Sequence, residues 1–413
     1  MKTNTKEKAI KQLLDRGVEK IYPSKKKLLS LLKQGKRLKL YCGYDPSSPT
    51  LHVGHLITIN KLAQFQQLGH EVIFLIGDFT GMIGDPTDKQ STRSKLTRDQ
   101  VLKNCRNYQK QISKVLAFEG KNKAVVKYNS QWNDKLSFVD LIELSSNFTV
   151  GQMIQRDMFQ QRIQQGKPIH LHEFLYPLAQ AYDSLVMDVD LEIGGNDQMF
   201  NMMCGRDLIK ALKNKEKFVL TTKLLADEQG KKMGKSEGNA VSMTAQAKDI
   251  YGKIMSWTDG LILPGFELLT QIDLAEVAKI KKQLEQGQNP MVFKKRLAFE
   301  ITKLIKGKAK AVQAEKYFEK VFSQKQDPEN LEVRILKDLG LGKVKNATLI
   351  NLINGLKKNT SKSQNKRLIR QGAVKVNNKT INDPAYLIKL NNNKNPTIIK
   401  IGKREFYQIK NSE

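Results

Sequence analysis

Residues 37–78 run RLKLYCGYD (37–45), PSSPT (46–50), LHVGHLITINKLAQFQQLG (51–69), His70 and EVIFLIGD (71–78). The first segment alternates apolar and polar residues, the pattern of a strand, and enters a turn at Asp45 and Pro46. The second places Leu51, His55, Ile59, Leu62 and Phe65 near helical spacing and stops at Gly69. The last is a short unbroken apolar run, as expected for a strand covered on both faces. Strand, helix and strand in about 40 residues make a βαβ unit with a right-handed crossover.

Outward from this unit, AVVKY (124–128) and VDLEIGG (189–195) are further strand candidates separated by helical stretches. The expectation is an α/β fold with a doubly wound, Rossmann-like parallel sheet whose ligands bind at the carboxyl ends of the strands. From Ala240 the pattern becomes helical, as in AEVAKIKKQLEQG (275–287) and FKKRLAFEITKLIKG (293–307), and Asp327-Pro328 looks like its end. After a Gly/Lys connector at 340–345, residues 346–413 carry 14 Lys and Arg against 3 Asp and Glu, a net charge of +11. SKSQNKRLIRQGAVKVNNKTIND (361–383) reads as a basic helix, a Gly turn and a short hairpin. The expected domains are therefore 1–239, 240–340 and 346–413.

The 413 residues carry 71 Lys and Arg against 41 Asp and Glu, a formal charge of +30. That excess would attract a polyanion such as nucleic acid, although Asn- and Lys-rich runs such as NNNKN (391–395) are equally those of a biased genome. A hydrophobic fraction of 39% and a charged fraction of 27% exclude a disordered or collagen-like chain. Three widely spaced cysteines, Cys42, Cys105 and Cys204, form no CxxC pair and favour a reducing cytosol. No apolar run has membrane-spanning length, and MKTNTKEKAI lacks the apolar stretch of a signal peptide. A cytoplasmic protein without membrane association is expected.

Two motifs carry chemistry. His52-Val53-Gly54-His55 opens the helix after the first strand, where the macrodipole and exposed N–H groups favour phosphate. Imidazoles three residues apart share a helix face and can donate to one phosphate. Two of only five histidines fall here, which is suggestive, but the pattern alone is weak and fits ordinary capping or core histidines better. Gly230-Lys231-Lys232-Met233-Gly234-Lys235-Ser236 lies in a polar loop after a strand-like segment. Such loops are commonly solvated connectors, yet Lys232 and Lys235 can swing onto a triphosphate.

In this order and separation the motifs resemble the HIGH and KMSKS signatures of class I aminoacyl-tRNA synthetases. YCGYDPSSPTLHVGHL (41–56), GDPTDKQSTR (84–93), YPLAQAYD (176–183) and GGNDQ (194–198) are similar to ordered motifs of bacterial tyrosyl-tRNA synthetases. Residues 346–413 resemble the S-four-like RNA-binding module that ends those enzymes. Departures are Gly234 in place of a Ser, Asp88 in place of a Gly, and Val53 in place of Ile.

The resemblance implies tyrosine activation by ATP and transfer of tyrosine to the terminal ribose of tRNA(Tyr), with a helical middle domain that binds the anticodon arm. It implies that His52, His55, Lys232, Lys235, Lys89 and Arg93 act on the phosphates, and that Asp45, Gly54, Gly195, Asp197 and Lys235 bind ATP. Tyr41 and Asp183 would meet the substrate hydroxyl, Tyr176, Gln180 and Asp85 its ammonium, and Gln198 its carboxylate. Mg2+ would accompany ATP, with no dedicated protein metal site and no tightly bound cofactor. A homodimer is implied, joined through residues around 105–170. His70, His170 and His172 match no family position and read as surface or turn residues, and Tyr182 as helix packing. Rival readings are a tryptophanyl enzyme, a small nucleotidyltransferase and a non-catalytic RNA-binding protein. YCGYDP and YPLAQAYD supply polar groups suited to a phenol, and the ATP motifs have no use in a mere RNA binder.

Overall fold

The decisive unit forms as strand β2 (Lys39–Tyr44), the helix His55–Gln67 and strand β3 (Glu71–Ile76), with β2 and β3 parallel. The computed structural model describes residues 2–85, 96–226, 240–323, 332–342, 344, 346–357, 360–390, 397–402 and 405–410. Four more strands complete the sheet: β1 (Val18–Tyr22), β4 (Val125–Tyr128), β5 (Leu191–Gly195) and β6 (Phe218–Thr222). Their order is β1-β6-β5-β2-β3-β4, parallel except for β1, which runs antiparallel along β6. That edge strand escapes the sequence reading because VEKIY is half polar and sits among Lys-rich helices.

The order reverses beside β2, which has β3 on one side and β5 on the other. In a parallel sheet this opens a crevice outside the carboxyl ends of the neighbouring strands. The helix His55–Gln67 buries Leu56, Ile59, Leu62 and Phe65 against the sheet. Its Lys61 is buried too, and donates to Leu13 O and Arg16 O at 2.7 Å each, and to Gln64 Oε1 at 2.8 Å. Carbonyls at the end of the helix Glu7–Asp15 thus gain the donor that helix termini lack. Burial pushes Lys61 down to about 7.

Compactness divides the chain into Met1–Phe318 and Glu319–Glu413, a different partition from the expected 1–239, 240–340 and 346–413. The helices after residue 240 are present, among them Leu274–Glu285 and Pro290–Lys306. Ile250, Phe266, Leu297 and Ile301 share one continuous apolar core with Leu40, Leu56 and Phe74 of the sheet region. A change in element type therefore does not mark a break in packing.

The second unit begins before the Gly/Lys connector. Strand β7 (Glu332–Ile335) pairs in parallel with the last strand, and Leu336 and Leu339 belong to that unit's own core. Its remaining strands are β8 (Asn346–Thr348), β9 (Val374–Val376), β10 (Lys379–Thr380), β11 (Leu387–Lys389), β12 (Thr397–Ile401) and β13 (Glu405–Lys410). They form a five-stranded sheet, β10-β9-β12-β13-β7, and a pair, β11-β8. The expected basic helix spans Lys362–Arg370 and starts at a capping box between Ser361 and Gln364. A turn through Gly372, with φ of 72°, leads into the β9–β10 hairpin. Lys362, Lys366, Arg367 and Arg370 are all exposed on this helix.

Candidate active site

A cavity of about 850 Å³ takes lining residues from β2, β5 and the segments that follow them. Tyr41, Asp45, His52, Gly54, His55, Asp85, Tyr176, Gln180, Asp183, Gly195, Asp197 and Gln198 all line it. The expected Lys89, Arg93, Lys232 and Lys235 lie outside the described residues, as do Asp88 and Gly234. Residues flanking that second lysine motif are described. Thr222, Lys223, Leu224 and Leu225 line the cavity on one side of it. On the other, Val241 O accepts from Val53 N–H at 2.9 Å and Met243 N–H donates to Leu51 O at 2.8 Å.

One end of the cavity is a buried polar floor. Asp183 comes from the helix His172–Met187, whose inward face repeats every three to four residues as Tyr176, Gln180, Asp183 and Ser184. Its Oδ1 accepts from Trp132 Nε1 at 2.7 Å and Asn133 Nδ2 at 3.1 Å, and its Oδ2 from Asn129 Nδ2 at 3.1 Å. Burial pushes Asp183 up to about 8, against the pull of these three donors. Tyr41, 1% exposed, pairs its hydroxyl with Ser184 Oγ at 2.8 Å. Burial foremost, then Glu192 and Asp183, holds the Tyr41 phenol well above its ordinary range.

Beside this floor lie three carboxylates. Tyr176 donates from its hydroxyl to Asp45 Oδ2 at 2.8 Å, and Thr80 donates to Asp45 Oδ1 at 2.6 Å. Gly77 makes that second bond possible, because a Cβ there would fall 2.0 Å from Asp45 Oδ1. Gln180 Nε2 donates to Glu192 Oε1 at 2.9 Å, and Gln198 Nε2 to Asp85 Oδ2 at 2.6 Å. Asp45, Asp85 and Glu192 all line the cavity, and carboxylates are the acceptors that a cationic group pairs with.

The opposite end is built by the first helix turn. His55 Nδ1 accepts from His52 N–H at 3.0 Å, and His52 Nδ1 accepts from Gly54 N–H at 3.1 Å. A neutral imidazole whose Nδ1 accepts carries its proton on Nε2, so each ring keeps a donor on its far side. The rings lie 3.9 Å apart between centroids. Half-buried imidazole donors at a helix N-terminus suit an anion.

Of the three histidines read as surface or turn residues, His170 is exposed and His70 closes a turn, but their surroundings add what that reading did not hold. His70 is 2% exposed, and its Nδ1 accepts from Leu38 N–H at 3.2 Å. Burial pushes it down to about 4, with the Arg37 charge acting in the same direction. His170 and His172 line the cavity, His170 from an exposed position. Sequence reading also missed Asn129, Trp132, Asn133, Ser184, Glu192 and Lys217. The available signals were a polar cluster, YNSQWN, directly after an apolar strand, and charges within or beside buried strands. Among the described residues, no group of three or more His, Cys, Asp or Glu is placed to hold a metal ion. None of their helices is long and apolar enough to cross a membrane.

Comparison with known proteins completes the picture. A tyrosine–tRNA ligase of Aquifex aeolicus is 40% identical over 383 residues, 92% of this chain and 94% of that protein. One of Haemophilus ducreyi is 41% identical over 403 residues, 97% of this chain and 98% of that protein. A C-terminally truncated mitochondrial tyrosyl-tRNA synthetase of Aspergillus nidulans shares the fold at a TM-score of 0.65 and 22% identity, covering 77% of this chain and 95% of that one. Residues 349–393 match the S4 domain family. Residues 33–323 match the family described as tRNA synthetases class I (W and Y), and the chain belongs to that family.

Proposed function

We propose that the chain is a tyrosine–tRNA ligase, which converts tyrosine and ATP to tyrosyl-adenylate and pyrophosphate and then transfers tyrosine to the 3′-terminal ribose of tRNA(Tyr). The observation that carries this reading is the buried floor of Tyr41 and Asp183 in a cavity whose opposite end presents two imidazole donors. A substrate hydroxyl there meets oxygen acceptors. Phenylalanine would leave them unpaired, at a cost of roughly 1–3 kcal/mol for each group. An indole, larger and without a phenolic hydroxyl, satisfies this floor less well, which favours tyrosine over tryptophan.

In the first step a tyrosine carboxylate oxygen attacks the α-phosphorus of ATP in line, and the bond from that phosphorus to the pyrophosphate oxygen breaks. No protein nucleophile is required, so catalysis consists of positioning and of stabilising charge on phosphate oxygens. His52 and His55 donate to the phosphates, Gly54 admits the nucleotide, and Gly195 and Asp197 contact the ribose. Lys232, Lys235, Lys89 and Arg93 add positive charge around the leaving pyrophosphate, and Mg2+ enters with ATP. Tyr176, Gln180 and Asp85 take the ammonium, and Gln198 approaches the carboxylate.

The working division is catalysis by the sheet region, anticodon-arm binding by the helical segment after residue 240, and RNA binding by the basic tail. The tail match to the S4 domain supports the last assignment. Two copies associate in the cytoplasm through the region around 105–170, where Phe138, Val139 and Val150 are 77%, 63% and 75% exposed. Amino-acid-dependent exchange of pyrophosphate into ATP tests the reading. Tyrosine should drive exchange and phenylalanine and tryptophan hardly at all. Equal rates with tryptophan would contradict it.

A further inference from the structure

One carboxylate of the cavity wall belongs to an ion pair that the reaction outlined above does not use. Lys217, just ahead of β6, is 0% exposed, and Glu192 in β5 is 2% exposed. The Lys217 ammonium contacts Glu192 Oε2 and donates to Ser184 Oγ at 2.8 Å and Met202 O at 3.2 Å. Gly205 leaves space for this arrangement, since a Cβ there would fall 2.5 Å from Lys217 Nζ and 2.9 Å from Ser184 Oγ. Glu192 is also the direct register partner of Tyr41 on the neighbouring strand. Buried pairs of this kind often add little stability over an apolar pair of similar volume, so their geometry is the feature to read.

The pair determines which way the surrounding hydrogen bonds point. A carboxylate only accepts, so Glu192 Oε1 holds Gln180 by its Nε2 side and leaves the amide carbonyl for the cavity that Gln180 lines. Ser184 Oγ accepts from Lys217 and donates to Glu192 Oε2 at 3.2 Å. The Tyr41 hydroxyl lies 2.8 Å from the same Oγ, and with the serine proton directed to Glu192 it is Tyr41 that donates across this contact. Tyr41 therefore spends its proton on the protein and keeps oxygen lone pairs for the cavity.

We propose that Glu192 and Lys217 are positioning residues for amino-acid recognition, presenting the Gln180 carbonyl to the substrate ammonium and an acceptor oxygen of Tyr41 to its hydroxyl. The inference rests on the tyrosine-activating reading. Its test compares tyrosine with 3-(4-hydroxyphenyl)propionate, which lacks only the ammonium, as ligands of the full-length protein. Glu192→Met/Lys217→Met removes both charges at similar volume, and Glu192→Gln keeps an acceptor while letting the Gln180 amide turn over.

The wild-type preference for tyrosine over the propionate should fall by ~10-fold in the double variant, the worth of one hydrogen bond to a charged group, and by ~3-fold in Glu192→Gln. KM for ATP should stay nearly constant, and the double variant should melt near the wild type. A merely structural pair would weaken both ligands alike. An unchanged preference in either variant, or no preference in the wild type, overturns the proposal. A wild-type protein that binds tyrosine with this preference but does not exchange pyrophosphate would overturn the functional reading instead.

Discussion

The two ends of the cavity hold their polar groups in opposite ways. At the hydroxyl end Tyr41, Asp183 and Ser184 are buried, and protein donors and acceptors are already aligned on them. At the end proposed for the phosphates His52, Gly54 and His55 are half-buried, and both imidazole Nδ1 atoms accept from backbone N–H groups. A prearranged buried end discriminates between substrates in the ground state. Donors aimed at phosphate oxygens act chiefly when charge develops there in the transition state.

The largest expected effect on adenylate formation follows from breaking the phosphate end. His52→Ala should lower the rate by ~10²- to 10³-fold, the usual worth of one donor to a developing oxyanion, while the tyrosine Kd changes little. Stopped-flow or quench measurements of the single turnover would read it. Next comes the other end: Asp183→Asn should raise KM for tyrosine by about 10- to 100-fold, as for a buried polar group left without its partner, with a smaller change in kcat.

The contrast sharpens with pH. Asp183 is raised from 3.8 to about 8 in the folded protein, so the folded state holds its proton longer than the unfolded chain. Its contribution to stability is fully present below pH 3.8 and is lost as pH rises toward 8. Thermal melts should therefore show Asp183→Asn gaining on the wild type between pH 5 and pH 8. The smallest effect is expected from the tail. Replacing Lys362, Lys366, Arg367 and Arg370 by Gln should leave tyrosine-dependent exchange unchanged. It should weaken tRNA charging and make the salt dependence of tRNA binding shallower, by roughly 0.7–0.9 in log–log slope for each phosphate no longer neutralised.

The same contrast explains what the sequence made legible. The strands β2 to β5, the helix His55–Gln67 and the basic helix Lys362–Arg370 follow from periodicity and capping, which are local properties. Tyr41, Asp183, His52 and His55 stand out because ordered motifs contain them. Asn129, Trp132 and Lys217 do not, because they reach the floor through tertiary packing from segments 33 to 54 residues away from Asp183 or Ser184. The unit boundary departs from the expected one for a similar reason. Strand β7 lies on the helical side of the Gly/Lys connector, and only its pairing with β13 assigns it to the tail. Burial likewise distinguishes His70 from a surface histidine, and nothing within its own turn signals that.

The independence of the two ends is the central claim, and a double-mutant cycle of His52→Ala and Asp183→Asn tests it most directly. Tyrosine Kd at equilibrium and the single-turnover rate of adenylate formation at saturating tyrosine would be measured for all four proteins. Sites that act independently should combine additively within about 0.5 kcal/mol. The account predicts that Asp183→Asn alone sets the loss in Kd, that His52→Ala alone sets most of the loss in rate, and that the double variant shows both in full. Equal shifts of both quantities in both single variants, or strong non-additivity in the double, would contradict it.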